Sequence, residues 1–273
     1  FQNSIHAGLH QPFITLKKYP ITLDEYEQAY QIVQQHLRFG NSFLTNLCCK
    51  TPITTNCTVE QLFYQANAPY KIKFKDEWIC FSPERFIQID GRYIHAFPMK
   101  GTIDAAIPNA KEEILSNPKE IAEHYTIVDL IRNDLSMVSK KVEVKTFRFI
   151  NEIKTNQKTL LQVSSHVQGL LPENFRSNLG TLLFTLLPAG SISGAPKQKT
   201  LEIIAEAETS ARNYYTGVAF YFDGKKVDSC VLIRYIEQDG TNQYYRSGGG
   251  ITIHSNLQQE YNELIDKIYL PTL

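Results

Sequence analysis

Two glutamate pairs are the first residues of this sequence whose type and spacing could do chemistry. Glu120 and Glu123 stand three apart in "SNPKEIAEHYTIVDLIRNDL", and Glu260 and Glu263 repeat the interval in "NLQQEYNELIDK", with Lys267 beyond them. At helical spacing the members of each pair share a face. A single such pair is ordinarily a solvated surface. Two pairs brought together make an oxygen-rich site of the kind that holds Mg2+ through one or two carboxylates, water and an anionic substrate. Spacing alone does not show that the two helices meet.

Three other places could serve such a site. In "HAFPMKGTIDA" one amine, Lys100, falls where a strand breaks into Gly-Thr; a lone lysine there is ordinarily a surface stem with its charge in water, so its neighbours must decide. The loop "PAGSISGAPK" precedes a helical pattern whose free N–H groups favour an anion, and it supplies Ser191, Ser193 and small residues that permit close approach. It lacks the Gly-Lys-Ser/Thr of a Walker loop, and a flexible turn reads equally well. In "SGGG" the backbone N–H groups of Gly248, Gly249 and Gly250 could meet a carboxylate. Arg234 reads as standing inside the apolar strand "CVLIRYI", on the face of Cys230 and Leu232, paired with a structural carboxylate or with an anionic ligand.

The elements that must position these groups follow from periodicity. Leu23, Tyr26, Tyr30, Val33 and Leu37 predict a helix capped by Thr22. "YKIKFKD", "EWICFS" and "RFIQIDGRYIHAF" alternate apolar and polar residues and predict an antiparallel meander, with Asp90-Gly91 at a hairpin turn. Asn117 and Pro118 predict the start of the helix carrying the first glutamate pair, with Ile121, Tyr125, Val128 and Ile131 as its buried stripe. Strands are expected in "VEVKTFRFI" and "TLLQVSSHV", then a helix near 176–187 and another through Leu201, Ile204 and Ala205. Further strands fall in "YYTGVAFYFDGKKVDSCVLIRYIE" and "QYYRSGGGITI", with a closing helix over 256–270 whose stripe is Leu257, Tyr261, Leu264 and Ile268. Without βαβ alternation, this is an α+β chain with extended antiparallel sheets covered by helices. No repeat or linker divides it, so residues 1–273 read as one domain.

Composition narrows the function. With 42% apolar residues, 21% charged, 15 Tyr and 15 Phe, a packed interior is expected. Zero formal charge and a pI near 7.2 provide no basic field for nucleic acid. Five cysteines without paired spacing suggest neither a disulfide framework nor a zinc site. No apolar window is long enough to span a membrane and no signal peptide is evident, so a cytoplasmic protein is expected. The first residue is Phe, so further natural N-terminal sequence is expected.

"SPERF", "PMKGT", "AEHYTIVDLIRNDL", "LPAGSISGAPK", "IRYIE" and "GGGITIHSNLQQEYNELIDK" occur in the order seen in chorismate-utilising enzymes, and the chain resembles that family from about residue 40 onward. The resemblance implies two large, mostly antiparallel sheets packed face to face with helices outside and a Mg2+ site between them. "PMKGT" is similar to the "PIKGT" form of aminodeoxychorismate synthase component I, where anthranilate synthases usually carry Ala. By this resemblance Lys100 is the nucleophile that attacks C2 of chorismate and displaces the C4 hydroxyl, after which ammonia adds at C4. The chemistry needs a neutral amine, so burial and nearby cations are expected to lower its pKa. Glu84 of "SPERF" matches the general acid/base. Glu123 and Glu263 match direct Mg2+ ligands, and Glu120 and Glu260 direct or water-mediated ones. Thr102, Ser191, Tyr215, Arg234, Gly248, Gly249, Gly250 and Lys267 match positions that bind the substrate carboxylates.

Two departures qualify the match. Leu44 stands where isochorismate and salicylate synthases carry a water-activating lysine, which disfavours hydroxylation at C2. Gln162 stands where the family often has His, and His166, four residues on, does not replace it. The long N-terminal region in which larger relatives bind tryptophan is absent from this sequence, so feedback inhibition by tryptophan is not expected. No glutaminase motif with a catalytic Cys is present, which implies ammonia from solution or from a separate glutamine amidotransferase subunit. The competing readings are an anthranilate synthase that eliminates pyruvate, and a non-catalytic chorismate-binding homologue.

Overall fold

The computed structural model describes residues 14–154 and 159–271; Phe1, and the expectation attached to it, lies outside them. In chain order the strands are β1 (Leu16–Lys18), β2 (Leu44–Thr55), β3 (Tyr70–Phe74), β4 (Trp78–Ser82), β5 (Arg85–Asp90), β6 (Tyr93–Ala96) and β7 (Met99–Asp104). They continue with β8 (Lys140–Lys154), β9 (Thr159–Leu170), β10 (Gly194–Ala195), β11 (Val218–Phe222), β12 (Val227–Val231), β13 (Tyr235–Asp239) and β14 (Asn242–Ile251). The helices are α1 (Leu23–Arg38), α2 (Val59–Gln65), α3 (Ala110–Ser116), α4 (Pro118–Val138), α5 (Leu179–Leu186), α6 (Gly190–Ser193), α7 (Lys197–Ala207) and α8 (Leu257–Asp266).

The strands form two antiparallel sheets. The first runs β1-β2-β14-β13-β4-β3, with β10 added to β2; the second runs β11-β12-β5-β6-β9-β7, with β8 on the other side of β9. Ile53, Ile79, Ile236 and Tyr245 of the first sheet pack with Leu62 of α2 and with Ile268, while Leu47 and Ile251 lie under α1, α7 and α8. The second sheet buries Ile87, Ile89, Ile94 and Val167 against Val128 and Leu135 of α4 and Leu182, Leu183 and Leu186 of α5. Between the sheets, Trp78, Cys80 and Tyr235 meet Leu232 and Ala219. The α+β reading of two sheets with helices outside is therefore the observed architecture. All five cysteines are free thiols. No helix among the described residues is long and apolar enough to cross a membrane.

Local signals explain the element starts. Thr22 caps α1 through a reciprocal box in which the Glu25 N–H donates to its hydroxyl and its own N–H donates to the Glu25 carboxylate at 2.8 Å. Asn117 accepts the Glu120 N–H at 3.2 Å, and Pro118 opens α4 where no N–H is needed.

Four local readings are corrected. The expected meander is split: β3 and β4 belong to the first sheet, β5 and β6 to the second, and the chain crosses at Pro83. Arg234 does not lie inside a strand. It sits at φ 55°, between β12 of one sheet and β13 of the other, because the chain crosses back there. Tyr125 is exposed and packs at a tilt against the Phe147 ring, while His124, Ile127, Val128 and Leu135 make the buried stripe of α4. On α7 the buried positions are Thr200, Ile203, Ile204 and Ala207, with Leu201 and Ala205 outside.

Candidate active site

The two crossings between the sheets run side by side, and each delivers a charged side chain to one cavity. Val231 donates its N–H to the Glu84 carbonyl at 3.1 Å, and Phe81 donates to the Arg234 carbonyl at 3.1 Å. The cavity measures about 670 Å³ and draws its wall from both sheets, α4, α6 and α8. Glu84, Lys100, Glu123, Ser191, Tyr215, Arg234, Gly248, Gly250, Glu263 and Lys267 all line it. A volume of this size suits a small molecule rather than a polymer.

Glu84 is held by Ser191, whose Oγ donates to Oε1 at 2.6 Å. Burial pushes the Glu84 carboxyl above its ordinary pKa, and the Ser191 hydroxyl, Arg234 and Lys267 only partly oppose this. The carboxyl is thus biased toward the protonated acid. Arg234 donates from Nε to the Tyr269 hydroxyl at 3.2 Å, lies over that ring, and lines the cavity. Lys267 donates to the Gly248 carbonyl at 2.8 Å and pairs with Glu263 at 2.6 Å.

Lys100 lies 3.1 Å from Glu123. The expectation of a lowered pKa is corrected. Burial does disfavour its charge, but Glu123, then Glu263 and Glu120, outweigh burial and raise the pKa above that of an ordinary lysine. The same charges show that α4 and α8 bring their glutamates to one place. Glu260 carries a raised pKa from burial and from Glu263, opposed by a 2.7 Å hydrogen bond from Ser255 and by Lys100 and Lys267. A Cβ on Gly249 would stand 3.3 Å from Glu260 Oε2 and 3.7 Å from Glu263 Oε1, and one on Gly101 would stand 2.6 Å from Glu120 Oε2. Glycine at both positions lets the backbone approach the carboxylates.

As arranged, no three His, Cys, Asp or Glu side chains among the described residues enclose an ion. Glu123 is turned to Lys100, Glu263 to Lys267 and Glu260 to Ser255. The donor chemistry nevertheless suits a hard divalent cation, since all four groups are carboxylates and the charge of Glu263 bears unfavourably on Glu260, a repulsion that a cation would relieve.

Some sequence-derived candidates stand apart. Thr102 is exposed on β7 and does not line the cavity, because the strand bulges at Lys100 and Gly101 before it. Gly249 faces the α8 carboxylates rather than the cavity. Leu44 and Gln162 both line the wall. His166 bonds the His95 ring at 3.0 Å and stacks on Phe97, away from the cavity, so it does not stand in for Gln162.

Two residues escaped the sequence reading. Asn46 lines the wall beside Leu44, and the period of two along β2 was the available signal. Its carbonyl and that of Ile192 accept from Arg212, which also binds Glu208 at 2.6 Å while Glu208 accepts the Cys48 N–H at 2.8 Å. This buried network joins β2, α6 and the segment after α7 behind the cavity. The second is His124, fully buried beside Glu123, whose signal was the helical spacing to Val128 and Leu135.

Residues 8–272 match the family model described as chorismate binding enzyme, and the chain belongs to that family. It is 52% identical over 258 residues to an "Uncharacterized PabA-like protein" of Haemophilus influenzae, covering 94% of this chain and 79% of that protein. It is 30% identical over 263 residues to aminodeoxychorismate synthase component 1 of Bacillus subtilis, covering 92% of this chain but 55% of that protein. The solved anthranilate synthase component I of Streptococcus pneumoniae shares the fold, with a TM-score of 0.79 over 96% of this chain and 60% of that one at 24% identity. The protein is thus related to aminodeoxychorismate and anthranilate synthases, enzymes larger than the chain described here.

Proposed function

We propose that this chain aminates chorismate at C4, giving 4-amino-4-deoxychorismate for para-aminobenzoate and folate synthesis. The observation that carries the reading is the placement of Lys100 and Glu84 on the wall of one cavity, with the alkyl chain of Leu44 in that wall and no lysine at its position. An alkyl group cannot activate water for addition at C2, whereas an amine can add there itself.

In this mechanism Lys100 Nζ bonds to C2 while the C4–O bond breaks, and the ring double bonds shift between them. Glu84 gives its proton to the departing hydroxyl, which leaves as water; its raised pKa keeps that proton available. Ammonia then bonds to C4 and expels Nζ from C2, restoring the lysine. Arg234 and Lys267 supply positive charge for the substrate carboxylates. The attacking amine must be neutral, so the proton that the pairing with Glu123 at 3.1 Å favours must leave before Nζ adds to C2.

Glu123 and Glu263, with Glu120 and Glu260 behind them, are the residues that would hold Mg2+. When bound, the ion would neutralise a substrate carboxylate and draw negative charge away from the lysine, favouring its neutral form. Ammonia would come from a glutamine amidotransferase subunit, as the "component 1" name of the Bacillus subtilis relative supports. The test is incubation with chorismate, Mg2+ and an ammonium salt, with the product identified by mass. 4-Amino-4-deoxychorismate is expected; anthranilate with released pyruvate would establish the aromatising reaction instead, and no turnover would leave chorismate binding alone.

A further inference from the structure

Asn46 is a polar residue of β2 that faces the cavity. It lines the wall with Leu44, while Thr45 and Leu47, which alternate with them, are fully buried on the other side of the strand. Across the ladder stand glycines: Gly250 is opposite Asn46, and Gly248 is opposite Cys48. Directly opposed residues share a face of the sheet, so β14 brings no side chain over the amide at these positions. The space in front of it is left to a ligand.

The same residue is held firmly from behind. Its Oδ1 accepts the Cys48 thiol hydrogen at 2.9 Å. That thiol has room because position 248 is glycine, where a Cβ would stand 2.5 Å from Sγ. The Asn46 carbonyl accepts from Arg212 at 2.7 Å, and Glu208, bound to the same guanidinium, accepts the Cys48 N–H at 2.8 Å. With Oδ1 engaged, the group left for the cavity is the Nδ2 amine of the amide. It takes no hydrogen-bond partner among the described residues, and Asn46 is half-buried. A donor already fixed in place costs little ordering when an acceptor arrives.

The acceptor it suits is a carboxylate. Lys267 donates to the Gly248 carbonyl at 2.8 Å, one strand away, so a cation stands on the same stretch of wall and draws an anion there. A carboxylate has two oxygens with several lone pairs, enough for an ammonium and an amide together. We propose that Asn46 is a further substrate-binding residue, whose Nδ2–H donates to the chorismate carboxylate that Lys267 attracts, with Cys48 as the positioning residue that turns the amide. The inference rests on chorismate as the ligand of this cavity, and not on its amination at C4.

Binding without turnover tests it, using chorismate and Mg2+ with no ammonium present. Asn46→Asp, equal in size but without the donor, should bind chorismate about thirtyfold more weakly or worse by calorimetry, and Asn46→Leu about tenfold or worse, the scale of a lost hydrogen bond to a charged group. Equal affinity in Asn46→Asp would place an acceptor at the wall and overturn the proposal. In the parent, the Asn46 side-chain amide protons should shift downfield in nitrogen-correlated NMR when chorismate is added; an unmoved pair would also overturn it, and this readout decides if the variants do not fold. Cys48→Ala should weaken binding several-fold while Cys48→Ser, which keeps a donor to Oδ1, should restore it; parent affinity in Cys48→Ala would overturn the positioning role. Under turnover, KM for chorismate should rise with the loss of affinity while kcat changes by less than about threefold. A parent that binds chorismate without aminating it would overturn the amination reading alone, and one that does not bind it would overturn both.

Discussion

Ser191 Oγ donates to Glu84 Oε1 at 2.6 Å, joining the α6 turn to the crossing between the two sheets. A donor to the charged carboxylate lowers its pKa, while burial raises it, and in Glu84 burial prevails. As general acid, Glu84 supports turnover below its pKa and fails as pH rises through it. In Ser191→Ala the pKa climbs further, so the alkaline fall of kcat/KM should move to higher pH, and Glu84→Gln should lose the activity that this limb reports. The profile should be taken with free ammonia held constant. An alkaline limb that stays in place or moves down in Ser191→Ala would rule out Glu84 as the titrating acid.

Removing the amine separates chemistry from folding. Lys100→Ala should lower kcat at saturating chorismate and ammonium by on the order of 10³-fold or more, as when a nucleophile is lost. Its stability should change by only about 1 kcal/mol, because the side chain is partly exposed and not part of the packed core. An unchanged kcat would exclude the nucleophile role.

The ammonium of Lys100 also occupies Glu123, a proposed cation ligand. Lys100→Met should therefore bind Mg2+ more tightly in the absence of substrate, by about tenfold for each pKa unit of lost competition. Calorimetric titration with Mg2+ reads this directly, and weaker binding than the parent would contradict it.

Gly101→Ala tests the approach of β7 to α4. The added methyl would meet Glu120 Oε2, at 2.6 Å from its Cβ, and the residue would be left at φ 90°. We expect a loss of about 1–3 kcal/mol in urea denaturation from backbone strain, together with weaker Mg2+ binding as Glu120 is pushed aside. Wild-type stability in this variant would show that the bulge relaxes freely.

Arg212 and Glu208 form a buried pair behind the cavity. Arg212→Met leaves Glu208 buried without its cation and frees the Asn46 and Ile192 carbonyls, so the cost should be about 3–5 kcal/mol. Chemical denaturation measures it. A cost under about 1 kcal/mol would mean that water replaces the guanidinium.

Much of this molecule was legible in local patterns. Thr22 and Asn117 mark their helices because a cap acts within three residues, and the turns at Gly91 and Gly224 lie between hairpin strands for the same local reason. The partition of strands between sheets was not legible. Whether β4 pairs with β5 or with β13 depends on residues more than a hundred positions away, and the only local sign of the crossing was Pro83. Tyr125 was chosen over His124 for the α4 stripe because an aromatic ring suits a core on its own account. A buried histidine needs partners such as Ser165 that no window around it contains. The motif residues Glu84, Lys100, Glu123, Arg234 and Glu263 do share one cavity. The charge state of Lys100 could not be read beforehand, since it is decided by Glu263 on a distant helix as well as by Glu123.

The bulge at Lys100 and Gly101 makes position 100 a replaceable tool in a fixed handle. Neighbouring side chains are bound by the alternation of the ladder, and changing one changes what its sheet buries. The side chain at 100 is released from that alternation and answers only to the cavity. A single codon change there can remove or substitute the reacting group while the strand pairs at Met99 and Thr102 keep their registers, so that on this scaffold the chemistry can diverge without the architecture having to follow.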